Sequence, residues 1–217
     1  MFMFPAPTEQ PKRVDVKVRS ATEVTVIWQQ VIQQIDGYEI RYWPANEKDV
    51  TANRVQVSNQ NFSVRLENLK PDTRYAVRVF SFNSAGFSPP SSQVYFTTQK
   101  APPRQKPKIT SYVKSGSKYI ITWDHVRSDS NESDVKGYKV LYRPDGQYNG
   151  TLVTTGKHYI EVPAPVKGQY VVEVRVHSDG GDGEVAQVKI PGAASGISSN
   201  YLGFLLPIIG ILAYLEF

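Results

Sequence analysis

Short runs of alternating apolar and polar residues recur along the chain, separated by clusters of Gly, Pro, Asn, Asp and Ser. Val24, Val26 and Trp28 alternate with Thr25 and Ile27. Tyr38, Ile40 and Tyr42 alternate with Glu39, Arg41 and Trp43. Tyr75, Val77 and Val79 alternate with Arg74, Ala76, Arg78 and Phe80. Tyr170, Val172, Val174 and Val176 are separated by Val171, Glu173 and Arg175. Successive side chains of a strand point to opposite faces, so each run predicts a strand with one face suited to a core. Short strands with turn signals every 8–12 residues or so predict a sandwich or barrel. An amphipathic helix needs a period of about 3.6 over ten or more residues, and no segment has it.

The pattern occurs twice. VTVIW at 24–28 matches YIITW at 119–123, GYEIRYW at 37–43 matches GYKVLYR at 137–143, and YAVRVFS at 75–81 matches YVVEVRV at 170–176. Trp28 to Tyr75 and Trp123 to Tyr170 are both 47 residues. The step from Trp to the Gly-Tyr pair grows from 9 to 14 residues, which gives the second copy a longer loop. One module of about 90 residues is used twice, a repeat visible before any fold is assigned.

Composition narrows the function. There is no cysteine, which excludes a disulfide framework, a Cys-ligated zinc and a thiol nucleophile. Each module must be held by its apolar core alone. The net charge of +5 is spread evenly, with 12 basic and 9 acidic side chains in residues 1–100 and 13 and 11 in the rest. Neither half is a concentrated cationic surface of the kind that binds nucleic acid. With 3 His in all, acid–base chemistry has little material.

A few clusters hold the residue types of a site. His177-Ser178-Asp179 contains those of a hydrolase triad, but neighbours on a strand end cannot face one another and no Gly-x-Ser-x-Gly elbow is present. SDGGDG there reads as a hairpin loop. Asp124, Asp129, Glu132 and Asp134 crowd the long second-copy loop without the spacing of a calcium-binding loop, and Arg127 and Lys136 dilute their charge. A solvated loop is the expectation. Arg41, Arg74 and Arg78 are candidates for an exposed basic stripe, against the plainer reading of a solvated sheet face. No Arg-Gly-Asp tripeptide occurs. The residues therefore predict no catalytic site, no cofactor and no metal.

The ends differ. The N-terminus, MFMFPAPTEQPK, has no basic segment and no apolar run long enough for a secretory signal. Tyr201 to Leu215 is 15 residues without a charge, preceded by the small and polar stretch Gly192 to Asn200. Small residues, a spacer and a terminal apolar stretch form the signal for glycosylphosphatidylinositol (GPI) attachment. The transamidase must reach a backbone carbonyl, so bulky side chains at the attachment residue and two positions on are excluded. Gly192 fits with the better spacer, and Ala193 and Ala194 also meet the rule; Ser195 fails because of Ile197. A spanning helix needs about 20 apolar residues, and this run is shorter and contains Pro207. Three sequons suit the secretory route: Asn61-Phe-Ser63 beside the strand Phe62–Leu66, Asn131-Glu-Ser133 in the long loop, and Asn149-Gly-Thr151 in a Gly-containing turn. Export without an export signal implies the C-terminal part of a longer precursor.

These residues resemble the fibronectin type III module, an immunoglobulin-like β-sandwich. Its marks are the Trp of the second strand, Gly-Tyr-x-x-x-Tyr, Leu69-Lys-Pro71-Asp-Thr-Arg-Tyr75 and Asn83-Ser-Ala-Gly86-Phe-Ser88-Pro89-Pro90-Ser91. Leu-x-Pro-x-x-x-Tyr is the tyrosine corner, a buried ring whose hydroxyl bonds backbone upstream. The second copy keeps Tyr170 but reads Pro163-Ala-Pro165-Val-Lys-Gly-Gln-Tyr170, without the spaced Leu and Pro. The expected fold is all-β: two tandem type III sandwiches with a C-terminal hydrophobic GPI-signal segment. The expected division is a lead segment 1–11, a module 12–98, a Pro-rich linker 99–107, a module 108–191, an attachment region and spacer 192–200, and a tail 201–217 removed on anchoring. Trp28, Tyr75, Trp123 and Tyr170 are the expected structural core.

The wording of the modules is similar to the contactin family of neural adhesion molecules, through RYW with ANRVQV, RLENL, YIITWDHV, NES, GYKVLYRPDGQ, EVP, YVVEVR, HSDGGDG, QVKI and the ending IIGILAYLEF. The resemblance covers nearly the whole chain. It implies a non-enzymatic stalk next to the outer face of the plasma membrane, held by a lipid anchor, in axon growth, guidance and axoglial contact. It also implies partners of that family, mostly through immunoglobulin domains outside this sequence: contactin-associated protein, neurofascin, L1-class molecules and receptor tyrosine phosphatases. A cytokine-type signalling receptor ectodomain is the alternative, but it calls for a Trp-Ser-x-Trp-Ser signature and paired cysteines, which the chain lacks.

Overall fold

A computed structural model describes residues 5–192. The tail 201–217, Ala193 and Ala194 lie outside the described residues, as does most of the expected attachment region.

The period-two runs are strands. The first eight are β1 (Asp15–Val18), β2 (Val24–Ile27), β3 (Gly37–Pro44), β4 (Asn53–Ser58), β5 (Ser63–Leu66), β6 (Arg74–Asn83), β7 (Gly86–Phe87) and β8 (Val94–Thr97). The next eight are β9 (Ile109–Ser115), β10 (Lys118–Trp123), β11 (Val135–Pro144), β12 (Thr151–Thr155), β13 (Tyr159–Pro163), β14 (Gln169–Ser178), β15 (Gly181–Asp182) and β16 (Ala186–Pro191). A single turn of 3-10 helix at Asp49–Thr51 is the helical element among the described residues.

The strands form two sandwiches. The first pairs a three-stranded sheet, in the order β1-β2-β5, with a five-stranded one, β4-β3-β6-β7, in which β8 also pairs with β6. The second repeats this with β13-β10-β9 and β12-β11-β14-β15, where β16 pairs with β14. The described residues fall into two compact units: 5–106 with Val126–Tyr138 and Arg175–Val185, and Pro107–His125 with Lys139–Val174 and 186–192. No helix among the described residues is long and apolar enough to cross a membrane.

In the first sandwich the inward residues Val24, Val26, Trp28, Tyr38, Ile40, Leu66, Tyr75, Val77, Val79 and Phe96 form one core cluster. Trp28 lies just past the end of β2, where its N–H continues the ladder to the Phe62 carbonyl at 3.0 Å. Its ring meets Tyr38 at 5.3 Å between centroids. The Tyr75 hydroxyl accepts from Lys70 N at 3.0 Å, and the ring stacks on Phe96. That is the tyrosine corner in atoms. Gly37 has a packing reason: a Cβ there would run into the Val57 carbonyl oxygen.

The second sandwich buries Tyr119, Ile121, Trp123, Tyr138, Val140, Ile160, Val162, Val172, Val174 and Ile190. Tyr170 occupies the place of Tyr75, yet it is only half-buried and stacks on Tyr142 at 6.3 Å. Tyr138 takes a more central place. Its hydroxyl accepts from Val126 N at 2.9 Å, as the Tyr38 hydroxyl accepts from Val31 N at 3.0 Å. Both N–H groups belong to the third residue after the module's Trp, so one bond is made twice by the Gly-Tyr pair.

Candidate protein-contact face

The outer face of the first five-stranded sheet gathers cations and rings. On β3 the outward residues are Glu39, Arg41 and Trp43, and on β6 they are Arg74, Ala76, Arg78, Phe80 and Phe82, because each strand alternates its faces. Antiparallel register sets Glu39 opposite Phe80, Arg41 opposite Arg78 and Trp43 opposite Ala76. β7 adds Phe87 beside Phe82, and β8 adds Tyr95 beside Ala76. Two arginines directly opposite one another repel unless something intervenes. Here each guanidinium leans away onto a ring.

Arg41 lies over Phe80 at 4.1 Å and Phe87 at 5.2 Å from the ring centroids. Its Nε donates to Glu39 Oε1 at 2.6 Å. Arg78 lies over Trp43 at 5.8 Å and pairs with Asp49 at 3.6 Å. Arg74 lies over Tyr95 at 4.6 Å. Phe80 and Phe82 each contact Phe87 edge-on or tilted. Of the three candidates for an exposed stripe, Arg74 is exposed, whereas Arg41 and Arg78 are only 25% and 33% exposed in their side chains, stacked and charge-paired. Each stacked cation contributes about 0.5–1 kcal/mol at such a site.

Glu39 is the buried charge of this face. Burial alone would raise its pKa. Hydrogen bonds from Gln56 Nε2 at 2.8 Å and from Arg41, with the charges of Arg41 and Arg54, prevail and hold the carboxyl below its ordinary range. The result is a flat platform of planar cations fixed in place, with Phe87 and Tyr95 still 44% and 52% exposed. Arg and aromatic side chains are the residues enriched where proteins meet, and fixing them beforehand lowers the entropy cost of contact. No charge count along the sequence finds this site. The signal was there in outline, as Arg and aromatic residues sharing parity on β3 and β6.

The other candidate residues are placed as follows. Asn61, Asn131 and Asn149 are all exposed. Asn61 Nδ2 donates to Ser58 Oγ at 2.9 Å, and Asn149 precedes β12. Within Asn131-Glu132-Ser133 the last two residues are buried, and Ser133 Oγ donates to the Lys100 carbonyl at 2.9 Å. Gly192 is buried, and its N–H donates to the Gly168 carbonyl at 2.7 Å. Trp28, Tyr75 and Trp123 are 3%, 4% and 1% exposed.

The long second-copy loop is organised rather than merely solvated. The Glu132 carboxylate accepts the backbone N–H groups of Asp129 and Arg104, each at 3.0 Å. Those two bonds hold its pKa below the usual range. Among the described residues, no group of three or more His, Asp or Glu is placed to hold a metal ion. His177 faces Asp182 at 3.0 Å, while Ser178 Oγ donates to the Gly181 carbonyl. His177 and Ser178 bond within their own hairpin while Asp179 pairs with Lys136 of β11 at 3.3 Å, so the three do not converge.

Residues 9–97 match the fibronectin type III domain model. The chain is 60% identical to contactin-1 of chicken and of human over 213 residues, which is 98% of this chain and 21% of each relative. It is 44% identical to contactin-1a of zebrafish over 95% of its length, there covering 20% of the relative. The chain thus spans about a fifth of the curated relatives it matches. Among solved structures, the crystal structure of chicken CNTN1 FN1-FN3 domains superposes with a TM-score of 0.66 at 22% identity, over 87% of this chain and 68% of that one, a likeness of fold. The chain belongs to the contactin family, built here as two fibronectin type III-like sandwiches.

Proposed function

We propose that the chain is the membrane-proximal stalk of a contactin-like, non-enzymatic adhesion receptor, exposed on the outer face of the plasma membrane and held there by a GPI anchor attached at Gly192, Ala193 or Ala194. The observation that carries this reading is the alignment of almost the whole chain, at 60% identity, with one-fifth of contactin-1. The kinship gives the cytokine-receptor alternative no support. Cell-surface adhesion proteins are its partners in general. Contactin-associated protein, neurofascin, L1-class molecules and receptor tyrosine phosphatases are partners by family, engaged mostly through domains outside this sequence. The stalk's own contribution is support, together with lateral contact through the Arg–aromatic face around Arg41, Phe80 and Phe87.

N-glycans at Asn61, Asn131 and Asn149 complete the proposal. All three side chains are exposed, which leaves room for a glycan in the folded molecule. The test places an export signal ahead of the chain, displays it on mammalian cells and treats the surface with phosphatidylinositol-specific phospholipase C. Release into the medium, alongside a known anchored control, is the expected result. Retention of the chain while the control is released would overturn the anchor.

A further inference from the structure

The end of the second sandwich at which the described chain stops carries two large apolar side chains in the open. Tyr148 is 96% exposed and Val166 is 83% exposed. Three connections and the chain exit meet at this end. The loop between β11 and β12 is tied to the start of β14 by Asp145 N–H to the Gln169 carbonyl at 2.9 Å. The connection between β13 and β14 is tied to the β9–β10 hairpin by Ala164 N–H to the Ser117 carbonyl at 2.9 Å. Gly192 closes the group through its bond to Gly168. All of these residues lie within one compact unit.

The charge at this end also has a direction. Its carboxylates Asp145 and Glu161 are neutralised by Lys189 at 2.7 Å and Lys118 at 2.8 Å. Lys114, near the end of β9, and Lys167, between β13 and β14, are exposed at the same end. An exposed Tyr with an exposed aliphatic residue and exposed lysines suits one surface, the headgroup layer of a bilayer. Tyr favours the headgroup level, and a Lys stem lies along apolar surface while its ammonium stays among the headgroup phosphates. The sequence after Gly192 fits the same occupant: eight residues, 193–200, lead to the uncharged run Tyr201–Leu215. At roughly 3.5 Å per residue, attachment no later than Ala194 leaves this rim within a few residues' reach of the lipid linkage.

We infer that the loop tips bearing Tyr148 and Val166, flanked by Lys114 and Lys167, form a lipid-contacting rim that rests on the headgroup layer of the membrane. This inference rests on the anchored reading of the tail. It adds to it an orientation: the second sandwich is seated end-on, not hung freely from its tether.

Because the chain has no cysteine, single labels are clean. Tyr148→Cys, Val166→Cys and, as a reference on the first sandwich, Ile32→Cys are displayed on cells behind an export signal and labelled with a polarity-sensitive fluorophore. All three positions are exposed, so the substitutions leave the core intact. The expected result is a blue-shifted emission at 148 and 166 relative to 32, lost when phospholipase C releases the chain. Lys114→Glu with Lys167→Glu should weaken the shift. Emission at 148 and 166 equal to that at 32 on intact cells would overturn the inference and leave the anchor's glycan as a spacer. A shift that survives release would overturn it too, by placing protein rather than lipid over the tips. If phospholipase releases nothing, the anchor reading fails separately, while the emission on intact cells still decides the rim.

Discussion

Glu39 is a buried carboxylate placed on the outer face of a sheet, and its stability effect has a defined sign. Its folded pKa lies below the ordinary value of 4.5, so the stabilisation is fully present above that value and is lost as pH falls through the lower, folded one. Glu39→Gln should therefore be less stable than the parent at pH 7, with the gap closing in acid. Urea midpoints at pH 7 and pH 3 test this, and a gap that does not change with pH would refute it. Two hydroxyls also act at this scale. Tyr38→Phe and Tyr138→Phe each strand a buried backbone N–H, at Val31 and Val126, and should cost about 1–3 kcal/mol each. Tyr75→Phe, which frees the less buried Lys70 N–H, should cost about 1 kcal/mol. Denaturant unfolding of the three variants ranks them.

At the scale of the element, β3 and β6 each serve two faces. The inner face sets stability. Trp28→Ala and Trp123→Ala should each cost about 3–5 kcal/mol, since the surrounding strands cannot close over so large a cavity. The outer face sets the form of the contact surface. Arg41→Ala removes the partner of a buried carboxylate and should cost about 1–3 kcal/mol. Arg78→Ala, which breaks a more exposed pair, should cost less than about 1 kcal/mol. Arg41→Lys should recover only part of the loss, because an ammonium keeps the charge without the plane that lies over Phe80 and Phe87. Thermal unfolding of the three compares them directly. Full recovery by Arg41→Lys would mean that the stacked geometry contributes nothing.

At the scale of the whole molecule, the sequons make a prediction about order of events. Single Asn→Gln changes at positions 61, 131 and 149 should each remove one glycan step on a gel, and peptide N-glycosidase should collapse the ladder to one band. Ser133 Oγ is held by the Lys100 carbonyl in the fold, so transfer to Asn131 must precede folding. Folded chain offered to the transferase in vitro should accept a glycan at Asn149 and refuse one at Asn131. Acceptance at both would mean that the Ser133 bond opens readily.

The strands and the repeat were legible because a strand's period of two is local. Val24, Val26, Ile40, Val77 and Val79 declare their inward face without reference to any distant residue, and the equal Trp-to-Tyr spacing declares the second copy. The tyrosine corner at Tyr75 was readable for the same reason, since its partner Lys70 is five residues away. Other features depend on which strands become neighbours. Arg41 meets Phe80 and Phe87 only through the register of β3 on β6 and of β6 on β7, across some 40 residues of chain. Counting charges left Arg41 and Arg78 as a stripe or a plain solvated face, while tertiary structure made them stacked and paired. Glu132 read as one acid among four in a loop, and only the fold brings the Asp129 and Arg104 N–H groups to it. By itself, then, the sequence determined the all-β class, the two modules and the inward strand positions other than Tyr170, because those follow from local alternation and spacing. The tertiary structure alone decided which polar residues share a surface, because that is set by strand pairing, which joins residues the chain keeps far apart.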